Sequence, residues 1–88
     1  MKVRPAVVVS ASHPSVDLII VPLTSRTGGL LPGEFALADW KAAGLHVPTA
    51  VKRGAYTIHP TLIAKRVGRL SAADEAKVGD SLRSWIGL

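Results

Sequence analysis

In residues 2–10, Lys-Val-Arg-Pro-Ala-Val-Val-Val-Ser, a cationic start leads into an unbroken apolar run. Residues 5–10 are rich in valine, whose branched side chain packs well on a pleated sheet, so they predict a strand that is buried on both faces. The turn-forming residues 12–15 end this strand. Residues 16–23 predict a second strand, and Pro22 near its end indicates a sheet edge or a bulge, because proline cannot donate a ladder hydrogen bond.

Downstream of the second strand the sequence predicts only short elements. We expect three more strands, at residues 34–37, 49–52 and 55–58. Between the first two of these, residues 38–43 predict a helical turn that Gly44 closes, since glycine is common at helix ends. This part of the chain therefore predicts a small antiparallel sheet.

Helical periodicity appears near the C-terminus. A helix over residues 61–67 is predicted between Pro60 and Gly68, because proline suits the first turn of a helix and glycine its end. A last helix opens at Ser71, with acidic residues in its first turn and one apolar stripe: Asp74, Glu75, and then Val78, Leu82, Trp85 and Ile86. The chain, residues 1–88, is thus predicted as one α+β domain in which C-terminal helices pack a strongly bent sheet.

Composition limits what kind of protein this is. The 88 residues are 48% hydrophobic and 19% charged, which is typical of a folded globular domain and not of a disordered chain. The absence of cysteine excludes disulfides and thiolate metal sites. The longest apolar run, residues 18–21, is much shorter than the roughly 20 residues that span a bilayer, so we expect a soluble cytoplasmic protein with no membrane partner.

The charge favours a polyanionic partner. Eleven lysines and arginines against six acidic residues give a net charge of +5, which suits nucleic acid, an acidic protein segment or an anionic membrane surface. The sequence carries no phosphate-binding glycine loop, no dinucleotide fingerprint and no zinc-ligand spacing, and it implies no cofactor. Its histidines, His13, His46 and His59, fall in predicted turns or at element ends, where most histidines are surface residues.

Two polar clusters lie at strand ends. Lys2 and Arg4 precede the first strand, and Thr24, Ser25 and Arg26 follow the second. If these strands are antiparallel neighbours, the start of one lies beside the end of the other, and Arg4 meets Thr24 at one rim of the sheet. The pattern leaves a second interpretation open, in which both are ordinary polar residues of rim loops.

Several segments together resemble one known family. Residues 2–10 resemble the Lys-x-Arg-Pro strand of the MazF/PemK toxins, and residues 21–26, Val-Pro-Leu-Thr-Ser-Arg, resemble the threonine-containing end of their next strand. Residues 39–48, with Asp-Trp, Gly-Leu and Pro, are similar to a segment of short PemK-like members. Residues 68–71 and 82–88 resemble the last helix and the chain end of the family. The likeness covers nearly the whole chain.

This resemblance implies a small SH3-like or CcdB-like antiparallel β-barrel with C-terminal helices, in a protein that forms homodimers. It implies a metal-independent endoribonuclease that cuts single-stranded RNA, such as mRNA, sequence-selectively through the RNA's own 2′-hydroxyl, leaving a cyclic phosphate and a 5′-hydroxyl. The essential arginine and threonine of the family fall on Arg4 and Thr24. The resemblance also implies a cognate acidic antitoxin that occupies the RNA groove. Further RNA-binding residues would be Lys2, Ser25, Arg26, Lys52 and Arg53.

Two features depart from the family pattern. Some relatives carry an Arg-x-Asp pair on a later strand, whereas residues 51–54 read Val-Lys-Arg-Gly, in which Arg53 replaces the cation and no aspartate is present. Arginine is a poor general base because its pKa exceeds about 12, so the base would be His59, another residue or water. The strand and loop that usually precede the Arg-Pro pair are missing, which predicts an upstream start or an inactive copy.

Two other functions stay open. In one, the chain is a catalytically inactive module that keeps the toxin fold and binds antitoxin or RNA. In the other, it is a gyrase-directed toxin on the related CcdB-like fold and acts through a C-terminal patch that includes Trp85. The position of Trp85 in the apolar stripe favours core packing over such a patch.

Overall fold

One long strand organises the sheet. The computed structural model describes residues 4–10 and 17–87, and within these ranges it contains five strands, a single 3-10 turn and one α-helix. In chain order these are β1 (Ala6–Val8), β2 (Leu18–Thr24), β3 (Phe35–Ala36), β4 (Ala50–Val51), β5 (Tyr56–Ile58), the 3-10 turn Pro60–Leu62 and α1 (Ala72–Ile86). Of these strands β2 alone pairs with three others, so it lies at the centre of the sheet.

Both edges of β2 are paired, and one edge changes partner along the strand. On the first edge β1 runs antiparallel, with Ala6 opposite Pro22. On the second edge β5 pairs with residues 18–20 and β4 with residues 23–24, both antiparallel. β3 extends the sheet beyond β4. The sheet therefore divides along β2 into two parts that share this strand.

Pro22 lies where that change of partner occurs. The residues before it pair with β5 and those after it pair with β4, so its missing N–H interrupts neither ladder. Its carbonyl still accepts a hydrogen bond from the Lys52 N–H at 3.0 Å. Proline within a sheet normally marks an edge or a bulge, and the sequence predicted one of these. The structure instead places Pro22 in the central strand, at the gap between two neighbours.

β1 is an edge strand and not the buried strand that the valine run predicted. Within the described residues it pairs with β2 alone. Ala6 and Val8 are exposed, with 47% of Val8 accessible, whereas Val7 packs against the core. Branched residues favour a strand when only one of its faces is packed, so the composition identified the strand but not its burial.

The core lies between one face of the sheet and the helix. Val21 of β2 and Val51 of β4 are fully buried, and Val78 joins them from α1. Leu23 and Leu37 complete this cluster. Half-buried side chains pack around it: Val7, Val9, Phe35, Trp40, Leu45, Leu70, Leu82 and Trp85. Each buried valine or leucine stabilises the fold by about 1.5–3 kcal/mol, so sheet and helix depend on each other.

The last helix forms as predicted, from a capped start at Ser71. The Ser71 Oγ accepts a hydrogen bond from the Asp74 N–H at 3.2 Å, which satisfies one of the free amides of the first turn. Ile86 does not belong to the buried stripe, because 62% of it is exposed. Three other members of the predicted stripe are confirmed as contacts of the core: Val78, Leu82 and Trp85.

The helix predicted over residues 61–67 is wrong. Only the turn Pro60–Leu62 is helical, and the chain after it continues without regular structure up to α1. Residues 61–69 are exposed throughout, so a helix there would bury no apolar face, and short helices depend on such packing. A side-chain carbon at Gly68 would collide with the Ala43 carbonyl, so this close approach of two segments requires glycine.

The structure confirms the antiparallel sheet with a C-terminal helix and corrects two details of the prediction. The five described strands do not close into a barrel. Within residues 4–10 and 17–87, α1 is the one α-helix, whereas the sequence predicted more than one. Residues 40–44 form hydrogen-bonded turns, in which the Gly44 N–H donates to the Lys41 carbonyl. No helix in the described ranges has the length and apolar character needed to cross a bilayer.

A buried carboxylate fastens α1 to the loop after β3. Asp74 is fully buried, and its two oxygens accept hydrogen bonds from the N–H groups of Ala38 and Asp39, at 3.0 and 2.9 Å. A carboxylate in the first turn of a helix commonly interacts with the free amides of that same helix. Asp74 instead satisfies amides of a segment far away in the sequence, and charge-assisted hydrogen bonds of this kind are stronger than neutral ones.

Replacing Asp74 should therefore weaken the fold. We expect Asp74→Ala to lower the free energy of unfolding by about 3 kcal/mol, because two partly buried amides lose their charged acceptor. Urea unfolding followed by circular dichroism measures this change. Glu75→Ala is the matched control, since Glu75 is exposed in the same helical turn and its loss should cost less than about 1 kcal/mol. Equal stability of the two variants would contradict the role given to Asp74.

Candidate functional site

The register between β1 and β2 brings Arg4 to Thr24. The Leu23 N–H donates to the Pro5 carbonyl at 3.2 Å, which continues the pairing of the two strands beyond β1. One further step of the same register places Arg4 opposite Thr24. Both residues line one concave site at this end of the sheet, which we call the rim pocket.

The rim pocket is a cationic hollow of about 220 Å³. Lys52 enters it just after β4, where its N–H is bound to the Pro22 carbonyl. Tyr56 enters it from the first residue of β5. The described residues that line it include two cations and no carboxylate. They are Arg4, Pro5, Pro22, Leu23, Thr24, Lys52 and Tyr56. Such a lining suits an anion with an aromatic or apolar neighbour.

Thr24 offers a hydroxyl donor in this pocket. Its Oγ1 accepts a hydrogen bond from the Arg26 N–H at 3.1 Å, which uses one lone pair and leaves the O–H proton for another acceptor. Thr24 is half-buried at the end of β2, and Arg4 is exposed beside it. The rim pocket therefore combines a guanidinium and a hydroxyl, both of which bind phosphate oxygens well.

A second concave site adjoins the rim pocket. It has a volume of about 350 Å³ and shares Thr24 and Lys52 with the rim pocket. The loop after β2 provides most of its wall, so we call it the loop pocket. Its lining residues are Thr24, Arg26, Gly28, Gly29, Leu30, Leu31, Glu34 and Lys52.

Glu34 ties together two loops at the loop pocket. Its Oε2 accepts a hydrogen bond from the Arg53 N–H at 2.8 Å, and its Oε1 accepts one from the Leu31 N–H at 2.7 Å. These two bonds, that from Arg53 above all, hold the pKa of the Glu34 carboxyl below its usual value of 4.5, and the charges of Lys52 and Arg53 act in the same direction. The carboxylate is therefore ionised and engaged at neutral pH.

The predicted RNA-binding residues are distributed unevenly around the two pockets. Arg26 lines the loop pocket, and Lys52 lines both pockets. Ser25 and Arg53 are exposed, and each follows a lining residue in the chain. Lys2 lies outside the described residues. The structure thus gathers Arg4, Thr24, Arg26 and Lys52 at one end of β2.

His59, which the sequence offered as an acid or base, lines neither the rim pocket nor the loop pocket. It follows β5, whose Ile58 pairs with Leu18 at the opposite end of β2 from Thr24. Six residue steps along a strand separate these ends by about 20 Å. The His59 Nδ1 instead shares a hydrogen bond with the Thr61 Oγ1 at 2.8 Å and caps the 3-10 turn.

Sequence reasoning missed two residues of the site. Tyr56 reaches the rim pocket because β5 folds back onto β2, and a long-range pairing of this kind leaves no local signal. Glu34 supplies a carboxylate beside Arg53, where residues 51–54 contain none, but it lies 19 positions away in the sequence. Neither contact could be predicted from the spacing of residues within one segment.

The family model described as "PemK-like, MazF-like toxin of type II toxin-antitoxin system" matches residues 1–86. The chain belongs to this toxin family. The resemblance that the sequence segments indicated is thereby confirmed over nearly the whole chain, including every residue of the rim pocket and the loop pocket. No curated protein sequence matches this MazF-like chain at a significant level.

A solved structure has the same fold as this MazF-like chain. The chain is similar to the Mycobacterium tuberculosis toxin MazF-mt6, with a TM-score of 0.80 and 21% sequence identity. The likeness covers 97% of this chain and 87% of that chain. At this identity the likeness establishes the fold, and the role of each residue depends on its own geometry.

The Glu34 bridge predicts a pH-dependent signal in this MazF-like chain. As the pH falls through the lowered pKa of Glu34, the backbone amide resonances of Leu31 and Arg53 should shift together, with a midpoint below pH 4.5. Because the folded-state pKa is lowered, the bridge stabilises the fold above the unfolded-state pKa, and this contribution is lost as the pH falls. NMR titration measures both amides, and Glu34→Gln should abolish the shared transition. Unrelated midpoints for the two amides would contradict the bridge.

Proposed function

We propose that this MazF-like toxin is a metal-independent endoribonuclease that cuts single-stranded RNA, such as mRNA, at the rim pocket. The observation that carries the proposal is the convergence of Arg4, Thr24 and Lys52 in one hollow whose described lining contains no carboxylate. Membership of a family whose members are endoribonucleases supports RNA as the substrate. Because mRNA is the substrate in this proposal, we place the action of the toxin in the cytoplasm.

The proposed reaction is an internal transesterification. The 2′-oxygen of the RNA attacks the adjacent phosphorus and gives up its proton, while the bond from phosphorus to the 5′-oxygen breaks and that oxygen takes up a proton. The products are a 2′,3′-cyclic phosphate and a 5′-hydroxyl. Negative charge builds up on the phosphate oxygens during the attack, so hydrogen-bond donors aimed at these atoms lower the barrier.

Arg4 is the principal donor in this proposal. Its planar guanidinium presents two parallel N–H groups that match two phosphate oxygens. Thr24 adds a hydroxyl donor and Lys52 a second positive charge, so the phosphate is neutralised without a divalent ion. Tyr56 offers an aromatic face for a base beside the phosphate. DNA should bind and survive, because it lacks the 2′-hydroxyl.

The same surface suits the acidic tail of a cognate antitoxin. Arg4, Arg26, Lys52 and Arg53 attract Asp and Glu side chains as well as phosphates, so charge complementarity favours both ligands at one place. An antitoxin bound there inhibits the toxin by occupying the RNA site. As family members often form dimers, the active form in this proposal is a homodimer.

The gyrase-directed alternative requires an exposed patch around Trp85. Trp85 instead packs against the core, and its Nε1 donates to the Pro32 carbonyl at 3.1 Å. The Trp85 ring therefore contributes to the packing of the fold and not to an exposed patch, which favours the ribonuclease over this alternative. Cleavage of RNA separates the ribonuclease from an inactive binding module.

Substitutions at the rim pocket should abolish cleavage and spare the fold. We expect Arg4→Ala and Thr24→Ala each to reduce cleavage of a mixed-sequence RNA by about 100-fold or more, because each removes a donor to the developing charge. Arg4→Lys should also fail, since lysine cannot present two parallel donors. Gel analysis of the RNA measures the rates, and circular dichroism monitors the fold.

The matched control is Arg83→Lys, because Arg83 lies on α1 and pairs with Asp80 at 2.8 Å. This variant should cleave RNA at the wild-type rate. Wild-type activity in Arg4→Lys would disprove the bidentate role of Arg4.

An acidic antitoxin peptide should compete with RNA for the rim. We expect each ligand to displace the other in a titration with fluorescent, uncleavable RNA. Both should bind more weakly as salt is added, and RNA more steeply, because phosphate binding releases condensed counterions. Simultaneous binding of both ligands without interference would rule out a shared surface, even if the protein cleaves RNA.

A further inference from the structure

We propose that the loop pocket holds the nucleotide next to the scissile phosphate, and that Glu34 is the positioning residue that keeps this pocket in shape. This assignment rests on the ribonuclease function proposed above. It adds a second contact along the RNA strand and gives a role to a carboxylate that lies outside the reacting groups.

The position of the loop pocket follows from the residues that it shares with the rim pocket. Thr24 and Lys52 line both pockets, so a phosphate held beside Arg4 and Thr24 has the loop pocket directly next to it. Adjacent nucleotides of RNA are joined through one phosphate. A strand that places its reacting phosphate in the rim pocket therefore brings a neighbouring nucleotide to the loop pocket.

The loop pocket has the chemistry that a nucleotide requires. Arg26 and Lys52 supply positive charge for a phosphate. Leu30 and Leu31 supply an apolar surface for a base, and 60% of Leu31 is accessible. The glycines at 28–29 have open space around the positions where side chains would stand, so the strand can approach the backbone there. Single-stranded RNA is recognised through bases held on such surfaces.

Glu34 sets the distance between the two walls of this pocket. Leu31 belongs to the loop after β2, whereas Arg53 follows Lys52 in the turn between β4 and β5. One carboxylate binds the backbone N–H of both, at 2.7 and 2.8 Å. This side chain therefore reinforces the pairing of β3 with β4 in holding Leu31, on the base side, next to Lys52, on the phosphate side.

Glu34 is suited to positioning and not to proton transfer. Both of its oxygens already accept backbone N–H groups, and its low pKa makes it a weak base for the 2′-hydroxyl. Its negative charge also offsets one of the two cations of the loop pocket. The reacting phosphate is therefore favoured in the rim pocket, where none of the described lining residues is a carboxylate.

A double-mutant cycle between protein and RNA tests this assignment. The probe is a fluorescent oligoribonucleotide made uncleavable by 2′-fluoro sugars and carrying one abasic residue at each position in turn. Its affinity is measured by anisotropy for the wild type and for Glu34→Gln, which keeps the size of the side chain but replaces one acceptor with a donor. The wild type should bind the probe about tenfold more weakly when the abasic residue lies next to the cleavage site. Glu34→Gln should bind the probe that carries every base more weakly than the wild type does. An abasic residue at that same position should then reduce the affinity of Glu34→Gln only slightly further.

Two further variants make the cycle decisive. Glu75→Gln removes an exposed carboxylate of α1 and should reproduce the wild-type profile at every position. Leu31→Ala shortens an exposed side chain of the pocket wall and should show the same non-additivity at the same position as Glu34→Gln. If Glu34→Gln does not fold, Leu31→Ala alone decides the outcome.

Additive losses at every position, or an equal loss of affinity at all positions, would overturn the assignment. The cycle measures binding, so its result is independent of catalysis. If the cycle is non-additive at the expected position but the wild type leaves unmodified RNA uncut, the ribonuclease function is disproved and the nucleotide site stands. If the wild type cleaves RNA but the cycle is additive at every position, the ribonuclease function stands and the nucleotide site is disproved.

Discussion

The hydrogen bond from the Leu23 N–H to the Pro5 carbonyl fixes the register on which the site depends. A slip of one residue would turn Thr24 toward the other face of the sheet and separate it from Arg4. On the opposite edge of β2, the Pro22 carbonyl accepts a hydrogen bond from the Lys52 N–H. Arg4, Thr24 and Lys52 therefore meet because the segments that carry Arg4 and Lys52 are both hydrogen-bonded to β2.

The helix packs on one face of the sheet and is also joined to the loop pocket through one turn. The Ser81 Oγ and the Trp85 Nε1 donate to the carbonyls of Gly33 and Pro32. Gly33 has a φ of 86°, and a side chain there would collide with the Trp85 ring, so the turn requires glycine. Glu34 is the next residue. The packing of α1 therefore helps to place the carboxylate that joins the two walls of the loop pocket.

Sequence patterns predicted the features that depend on neighbouring residues. The capping serine and apolar stripe located α1, and the polar ends of two adjacent strands brought Arg4 to Thr24. The contribution of Tyr56 and the bridge from Glu34 depend on segments that meet only in the folded chain, so no local pattern revealed them. The helix predicted over residues 61–67 failed for a related reason, because that segment has no core surface to pack against. His59 has suitable chemistry but lies at the wrong end of β2.

The chemical ends of the RNA fragments produced in excess EDTA test the ribonuclease function most directly. In the proposed reaction Arg4, Thr24 and Lys52 act on a phosphate that the RNA's own 2′-hydroxyl attacks, so neither an activated water nor a divalent ion is required. Mass spectrometry of the products should therefore find 2′,3′-cyclic phosphates paired with 5′-hydroxyls. Fragments with 5′-phosphates, or intact RNA until Mg²⁺ is added, would contradict cleavage by this mechanism.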